Sequence, residues 1–194
     1  MPSRPSEQSR AVAACWRNRF AEGRGGGVRR YYNDDESLRI DIFEANDSPQ
    51  VGAATFATIG LSEFSNVVGE DRDLRVELVT TAGMQYDVAP RALATVAFDH
   101  IVAGIALRPG QVIREAISRN LPSATLPHVF LTDPFLWEGV SSIEPAGQPV
   151  FPLLAVPITE REMLYAEERG SDALEQLFGD AQIDVFDWQR ESVV

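Results

Sequence analysis

Two histidines, one cysteine, a Gly-x-Ser triplet and two acidic clusters are the residues of this chain whose types invite chemistry. Asp99 and His100 are neighbours in a segment of helical periodicity. Adjacent helical side chains diverge by about 100°, so the two do not face each other as a catalytic dyad must. His100 therefore reads as a partly buried, hydrogen-bonded histidine. His128 follows Pro127 at the start of a strand-like run. Neither histidine stands at metal-ligand spacing from the other or from Cys15. Cys15 lies on the apolar stripe of an N-terminal helix, the setting of a packing cysteine rather than a nucleophile. Gly60-Leu61-Ser62 begins like the nucleophile elbow G-x-S-x-G, but Phe64 stands where the last glycine belongs. Asp34-Asp35-Glu36 and Glu70-Asp71-x-Asp73 offer oxygens for Ca²⁺ or Mg²⁺, without the glycine and glutamate that an EF-hand loop requires. Both read as solvated loop charge, with Glu70, Asp71 and Asp73 as candidate contacts for a basic protein partner. No catalytic or metal-binding set emerges, and no cofactor is expected. What remains of an enzymatic reading is a hydrolase that pairs Ser62 with His100 or His128.

Charge narrows the classes further. All 17 basic residues are arginine, which removes the Walker A lysine, the kinase lysine and Schiff-base chemistry. Net charge is −12, and residues 1–30 carry seven Arg against two acids. The rest of the chain is left at −17, by ten Arg against 27 acids. Such a body repels phosphate backbones and disfavours nucleic-acid binding, while it draws in basic partners. A lone cysteine permits no intrachain disulfide and fits a reducing cytoplasm. The start of the chain reads as no signal peptide, and no apolar run approaches the ~20 residues that span a bilayer.

The elements that must position these residues follow from periodicity. Ser6 caps a helix to about Ala21, with Val12, Cys15, Trp16 and Phe20 on one stripe. Gly23-Arg24-Gly25-Gly26-Gly27 reads as a flexible joint that breaks regular structure. This basic helix either docks on the acidic body or moves as an arm. Strands are expected around Leu38–Ile42, Thr55–Leu61, Leu74–Val79, Val129–Leu131 and Val150–Val156, the last buried on both faces. A long helix is expected over Arg91–Leu107. Another starts at Pro157-Ile158-Thr159, with Thr159 and Glu162 as a capping box, and runs to Gly170. Ser171–Phe178 forms a further helix, and a polar tail closes the chain. This order implies an α+β fold, a single domain whose central mixed β-sheet is flanked by helices.

One constellation stands apart. By the period of two, Phe56, Thr58, Gly60 and Ser62 share a strand face, as do Arg75 and Glu77 on the next strand. Opposite charges inside an apolar strand need partners. They pair with each other as a register-fixing ion pair, with Thr58 and Ser62 across the sheet, or with a ligand.

These residues carry a family resemblance. Thr58-Ile59-Gly60-Leu61-Ser62 followed by Arg75-Val76-Glu77-Leu78 resembles the paired-strand signature of the suppressor of fused family. Val156-Pro157-Ile158-Thr159-Glu160-x-Glu162 is similar to that family's V-P-I-T-x-x-E helix start, and Arg190-x-Ser192 to its closing segment. The resemblance covers residues 31–194, leaving 1–30 as a basic helix and Gly-rich joint. It implies a non-enzymatic protein-binding domain. Single-domain bacterial members resemble immunity proteins that neutralise toxin domains, so a basic toxin domain is the expected partner, bound in the cytoplasm with no role for nucleic acid or membrane. A regulatory adaptor with another protein or peptide partner is the alternative.

Overall fold

The structure, a computed structural model, describes residues 5–21, 25–69 and 72–194. Helix α1 (Glu7–Phe20) starts at Ser6, whose hydroxyl oxygen accepts the Ser9 N–H at 2.9 Å. Among the described residues nine strands and three more helices follow. They are β1 (Gly26–Tyr32), β2 (Arg39–Asn46), β3 (Ala53–Ile59), β4 (Val67–Val68), β5 (Arg72–Asp73), β6 (Val76–Gly83), α2 (Ala89–Ala103), β7 (Val112–Ile113), β8 (His128–Thr132), β9 (Phe151–Ile158), α3 (Glu160–Arg169) and α4 (Ser171–Ala181).

Seven strands make one sheet in the order β1-β2-β3-β6-β9-β8-β7, with β4 and β5 as a separate short hairpin. Every pairing in the sheet is antiparallel except β6 with β9, so the sheet is mixed, as expected. Strands β3, β6 and β9 are buried nearly throughout because helices cover both faces. On one face Ile42, Phe56, Leu78 and Leu131 pack against Leu93 and Val96 of α2. On the other, Phe43, Val79, Phe130 and Val156 pack against Trp16 of α1, Met163 of α3 and Phe178 of α4. The alternation of these core assignments along each strand is the period of two made visible. No described helix is long and apolar enough to cross a membrane.

Helix α1 is docked, not a free arm. Val12, Trp16 and Phe20, four residues apart, are buried, and the Trp16 indole N–H donates to the Thr58 carbonyl at 2.8 Å. Trp16 stacks on Phe20, which meets Trp137. The expected joint is corrected in part. Residues 22–24 lie outside the described chain, but Gly26 and Gly27 begin β1, which runs across the 30/31 boundary. Glycine suits the place: a Cβ on Gly26 would sit 2.3 Å from the Glu44 carbonyl oxygen.

Other boundaries shift for local reasons. The helix expected over Arg91–Leu107 spans Ala89–Ala103, with Pro90 in its first turn and Gly104 stopping it at φ +65. Pro157 and Ile158 belong to β9 rather than to α3, which begins after the Thr159 cap. Helix α4 runs past Gly179 to Ala181. The closing segment is not a loose polar tail: Trp188 is buried and donates its indole N–H to the Thr81 carbonyl at 2.9 Å.

Candidate functional site

Strand β3 does not continue through Ser62, contrary to the shared-face expectation. Gly60 turns at φ +97, a conformation that side chains rarely adopt, and Leu61–Glu63 forms a single tight helical turn. That turn aims donors back at the neighbouring strand. The fully buried Glu77 carboxyl of β6 receives all of them. Its Oε1 accepts the Gly60 N–H (3.0 Å), the Ser62 N–H (3.1 Å) and the Ser62 hydroxyl (2.8 Å). Its Oε2 accepts the Thr58 hydroxyl (2.5 Å), while Thr58 Oγ1 accepts the Leu78 N–H at 2.8 Å. Burial pushes the Glu77 carboxyl up to about 7, against these hydrogen bonds, which favour the charged form.

The Arg75–Glu77 ion pair does not form. Arg75 precedes β6 and points to the half-exposed rim, pairing with Asp73 (2.8 Å) and donating to the Glu63 carbonyl (3.2 Å). Glu77 is thus fixed by neutral donors. Asp73 also accepts the Asn66 N–H at 2.9 Å, so this exposed carboxylate already holds the β4–β5 hairpin together. Glu70 and Asp71 lie outside the described residues.

A second buried carboxylate sits beyond the end of β9. Thr159 and Glu162 form the expected capping box, each side chain meeting the other's backbone N–H. Glu162 also receives a bidentate Arg190, with Nη1 to Oε1 at 2.6 Å and Nη2 to Oε2 at 3.0 Å. Arg190 Nη2 donates to the Pro157 carbonyl (3.1 Å), and the Val193 N–H donates to Glu162 Oε1 (3.1 Å). Ser192 meets the Thr159 hydroxyl at 3.1 Å. Arg190 also lies over the Phe178 ring, 5.3 Å from its centroid. The C-terminal segment is thereby clasped to α3, α4 and β9.

Nine of the ten signature residues thus resolve into two buried polar clasps, with Arg75 apart. Glu77 is in register with Pro152 near the start of β9, whereas Thr159 follows its end. At strand rise the two clasps stand roughly 20 Å apart, too far to act on one ligand atom. Their geometry satisfies buried charge and holds loops to the sheet; it offers no open reaction centre.

The remaining chemical candidates are occupied too. His100 holds the Ile105 carbonyl through Nδ1 (2.7 Å), beside the α2 terminus. Its neighbour Asp99 faces away, to Arg119. His128 accepts the Glu115 N–H on Nδ1 (2.9 Å) and donates from Nε2 to Glu160 (2.7 Å), which fixes its tautomer. No hydrogen bond among the described residues joins Ser62 to either histidine. Burial pushes the Cys15 thiol up, away from the reactive thiolate, while Arg19 opposes. No group of three or more His, Cys, Asp or Glu among the described residues is arranged to hold a metal ion.

Comparison with known proteins follows the same residues. The family model of the Suppressor of fused protein (SUFU) matches residues 36–191. A relative from Bacillus subtilis, named Immunity protein YqcF, is 36% identical over 169 residues, covering 86% of this chain and 88% of its own length. Among solved structures, a suppressor of fused homolog from Neisseria gonorrhoeae superposes with TM-score 0.72 at 15% identity over 97% of both chains. The chain in a Sufu–Fu complex superposes with TM-score 0.69 at 13% identity, covering 98% of this chain and 93% of that one. Drosophila Suppressor of Fused matches at TM-score 0.55 and 11% identity, with 87% of this chain covering 42% of that protein. The family model over residues 36–191 and the 36% identical relative carry the conclusion: this chain belongs to the suppressor of fused family.

Proposed function

We propose that this protein is a non-enzymatic immunity protein that neutralises a cognate toxin domain in the cytoplasm by stoichiometric binding. The observation that carries the reading is the 36% identity, over 86% of the chain, to a relative named as an immunity protein. Two features of the molecule support it. The three residues of the hydrolase reading each enter a structural hydrogen bond: Ser62 to Glu77, His128 to Glu160, and His100 through Nδ1 to Ile105. The chain also carries −12 net charge with no lysine, which speeds its encounter with a basic partner and makes that encounter sensitive to salt. Glu70 and Asp71, with Asp73 beside them, are acidic contacts this reading would use.

Co-expression with the toxin domain encoded beside it tests the proposal. The expected result is restored growth and a stoichiometric complex that survives gel filtration at low salt. Failure to protect, with the chain folded and soluble, overturns it.

A further inference from the structure

Between α4, the segment after it and the loop that follows β8 lies an open cavity of about 440 Å³. Phe135, Leu136, Phe178, Ile183 and Phe186 make its apolar wall. Phe135, on this lining, is 64% exposed. The volume is that of a site for one or two large side chains.

The charge around it has a single sign. Glu175 and Asp184 line the cavity, and among the described residues no arginine does. Glu175 lies on the same side of α4 as Phe178 and Gly179, and Asp184 follows in the segment beyond the helix. Glu175 accepts only the Thr132 hydroxyl (2.5 Å), and Asp184 the Phe186 N–H (2.9 Å), so both keep unpaired negative charge. Arg190, over the Phe178 ring, is neutralised by Glu162 and does not offset them. An apolar pocket bearing two carboxylates, with no cation among its described lining residues, complements one chemistry: an apolar side chain flanked by arginine or lysine.

We propose that this groove docks a protein segment that presents a large apolar residue between basic ones. The inference rests on the immunity reading in that it places the segment on the toxin domain. The apolar anchor supplies the buried contact and the flanking cations meet Glu175 and Asp184, as a central hot spot beside a charged rim does.

The test uses a fluorescein-labelled peptide with a Leu-Phe pair flanked by two arginines on each side, and the same peptide with glutamates for arginines. Fluorescence anisotropy is read with the full chain, Phe135→Ser and Glu175→Gln. Phe135 is exposed, and a glutamine keeps an acceptor for Thr132, so both variants are expected to melt with the wild type. The arginine peptide is expected to bind, about ten-fold more weakly to Phe135→Ser and several-fold more weakly to Glu175→Gln. Its affinity falls as salt rises from about 50 to about 300 mM, and the glutamate peptide does not bind. Equal binding of both peptides, no binding of either, or unchanged binding to Phe135→Ser overturns the groove assignment. Phe135→Ser is then co-expressed with the toxin domain. If wild type and variant protect equally, the groove assignment falls and the immunity reading stands. If the arginine peptide binds the groove but the wild type does not protect, the immunity reading falls alone.

Discussion

Glu77 enters the fold as a carboxyl group surrounded by donors yet shut off from water, and these two influences oppose each other. With burial dominant, its folded pKa stands at about 7 against 4.5 for the free side chain. The folded state then holds a proton that the unfolded chain gives up across that interval. Stability from this group is complete below pH 4.5 and is lost as pH rises through 7. A shift of 7 − 4.5, at about 1.4 kcal/mol per pH unit, makes that loss about 3 kcal/mol. Glu77→Gln isolates it. Glutamine cannot titrate, and its carbonyl can keep the Gly60 and Ser62 donors. Its amide faces Thr58, whose hydroxyl can turn to the Leu78 carbonyl 3.5 Å away. Urea unfolding followed by tryptophan fluorescence, from about pH 5 to about pH 8, measures both proteins. Other titrating groups are common to both and cancel in the difference. The wild type is expected to lose about 2–3 kcal/mol relative to Glu77→Gln over that range. A flat difference, or a wild type that gains on the variant as pH rises, refutes the dominance of burial and means that Glu77 folds as a stabilised anion.

Breaking the second clasp with Glu162→Ala leaves Arg190 buried without its counter-charge and is expected to cost about 3–5 kcal/mol in denaturant unfolding. Thr159→Ala removes the cap and the contact with Ser192, and is expected to cost about 1–2 kcal/mol by the same measurement. Trp16→Ala empties a fully buried indole site and breaks its bond to Thr58, a loss of about 3–5 kcal/mol that shows as a lower midpoint in the thermal melt. Ser62→Ala weakens the Glu77 clasp, yet protection against a co-expressed toxin domain should persist while the chain stays folded; loss of protection with unchanged stability would revive the hydrolase reading.

The architecture was largely legible because buried strands and capped helices obey strict local rules. Val150–Val156 could be read as a doubly buried strand from its unbroken apolar run, and Thr159 with Glu162 as a capping box from spacing alone. What could not be read was the direction of side chains at chain reversals. Gly60 reads as an interior strand residue, yet its left-handed turn is what brings Ser62 to Glu77, while Arg75, one residue before β6, pairs with Asp73 instead. The closing segment looked polar because Arg190 is polar, but its charge is consumed by Glu162, a partner 28 residues away that local periodicity cannot supply. Trp188, a large aromatic in an otherwise polar stretch, was the one available sign that this segment docks.

The same physics explains why family and partner are recorded in different residues. A buried carboxylate tolerates only donors at fixed offsets, so each clasp writes residue types and spacing into the chain: Thr, Gly and Ser ahead of Glu77, Thr before Glu162, Arg190 after it. A docking face carries no such constraint. Phe135, Ile183, Glu175 and Asp184 need only share a rim in space, and nothing in their order announces it. The two systems meet at a single side chain. Phe178 lies under Arg190 and also lines the groove. The Arg190–Glu162 clasp therefore bears on one wall of the groove, while exposed Phe135 and the carboxylates Glu175 and Asp184 would define which partner the proposed docking accepts.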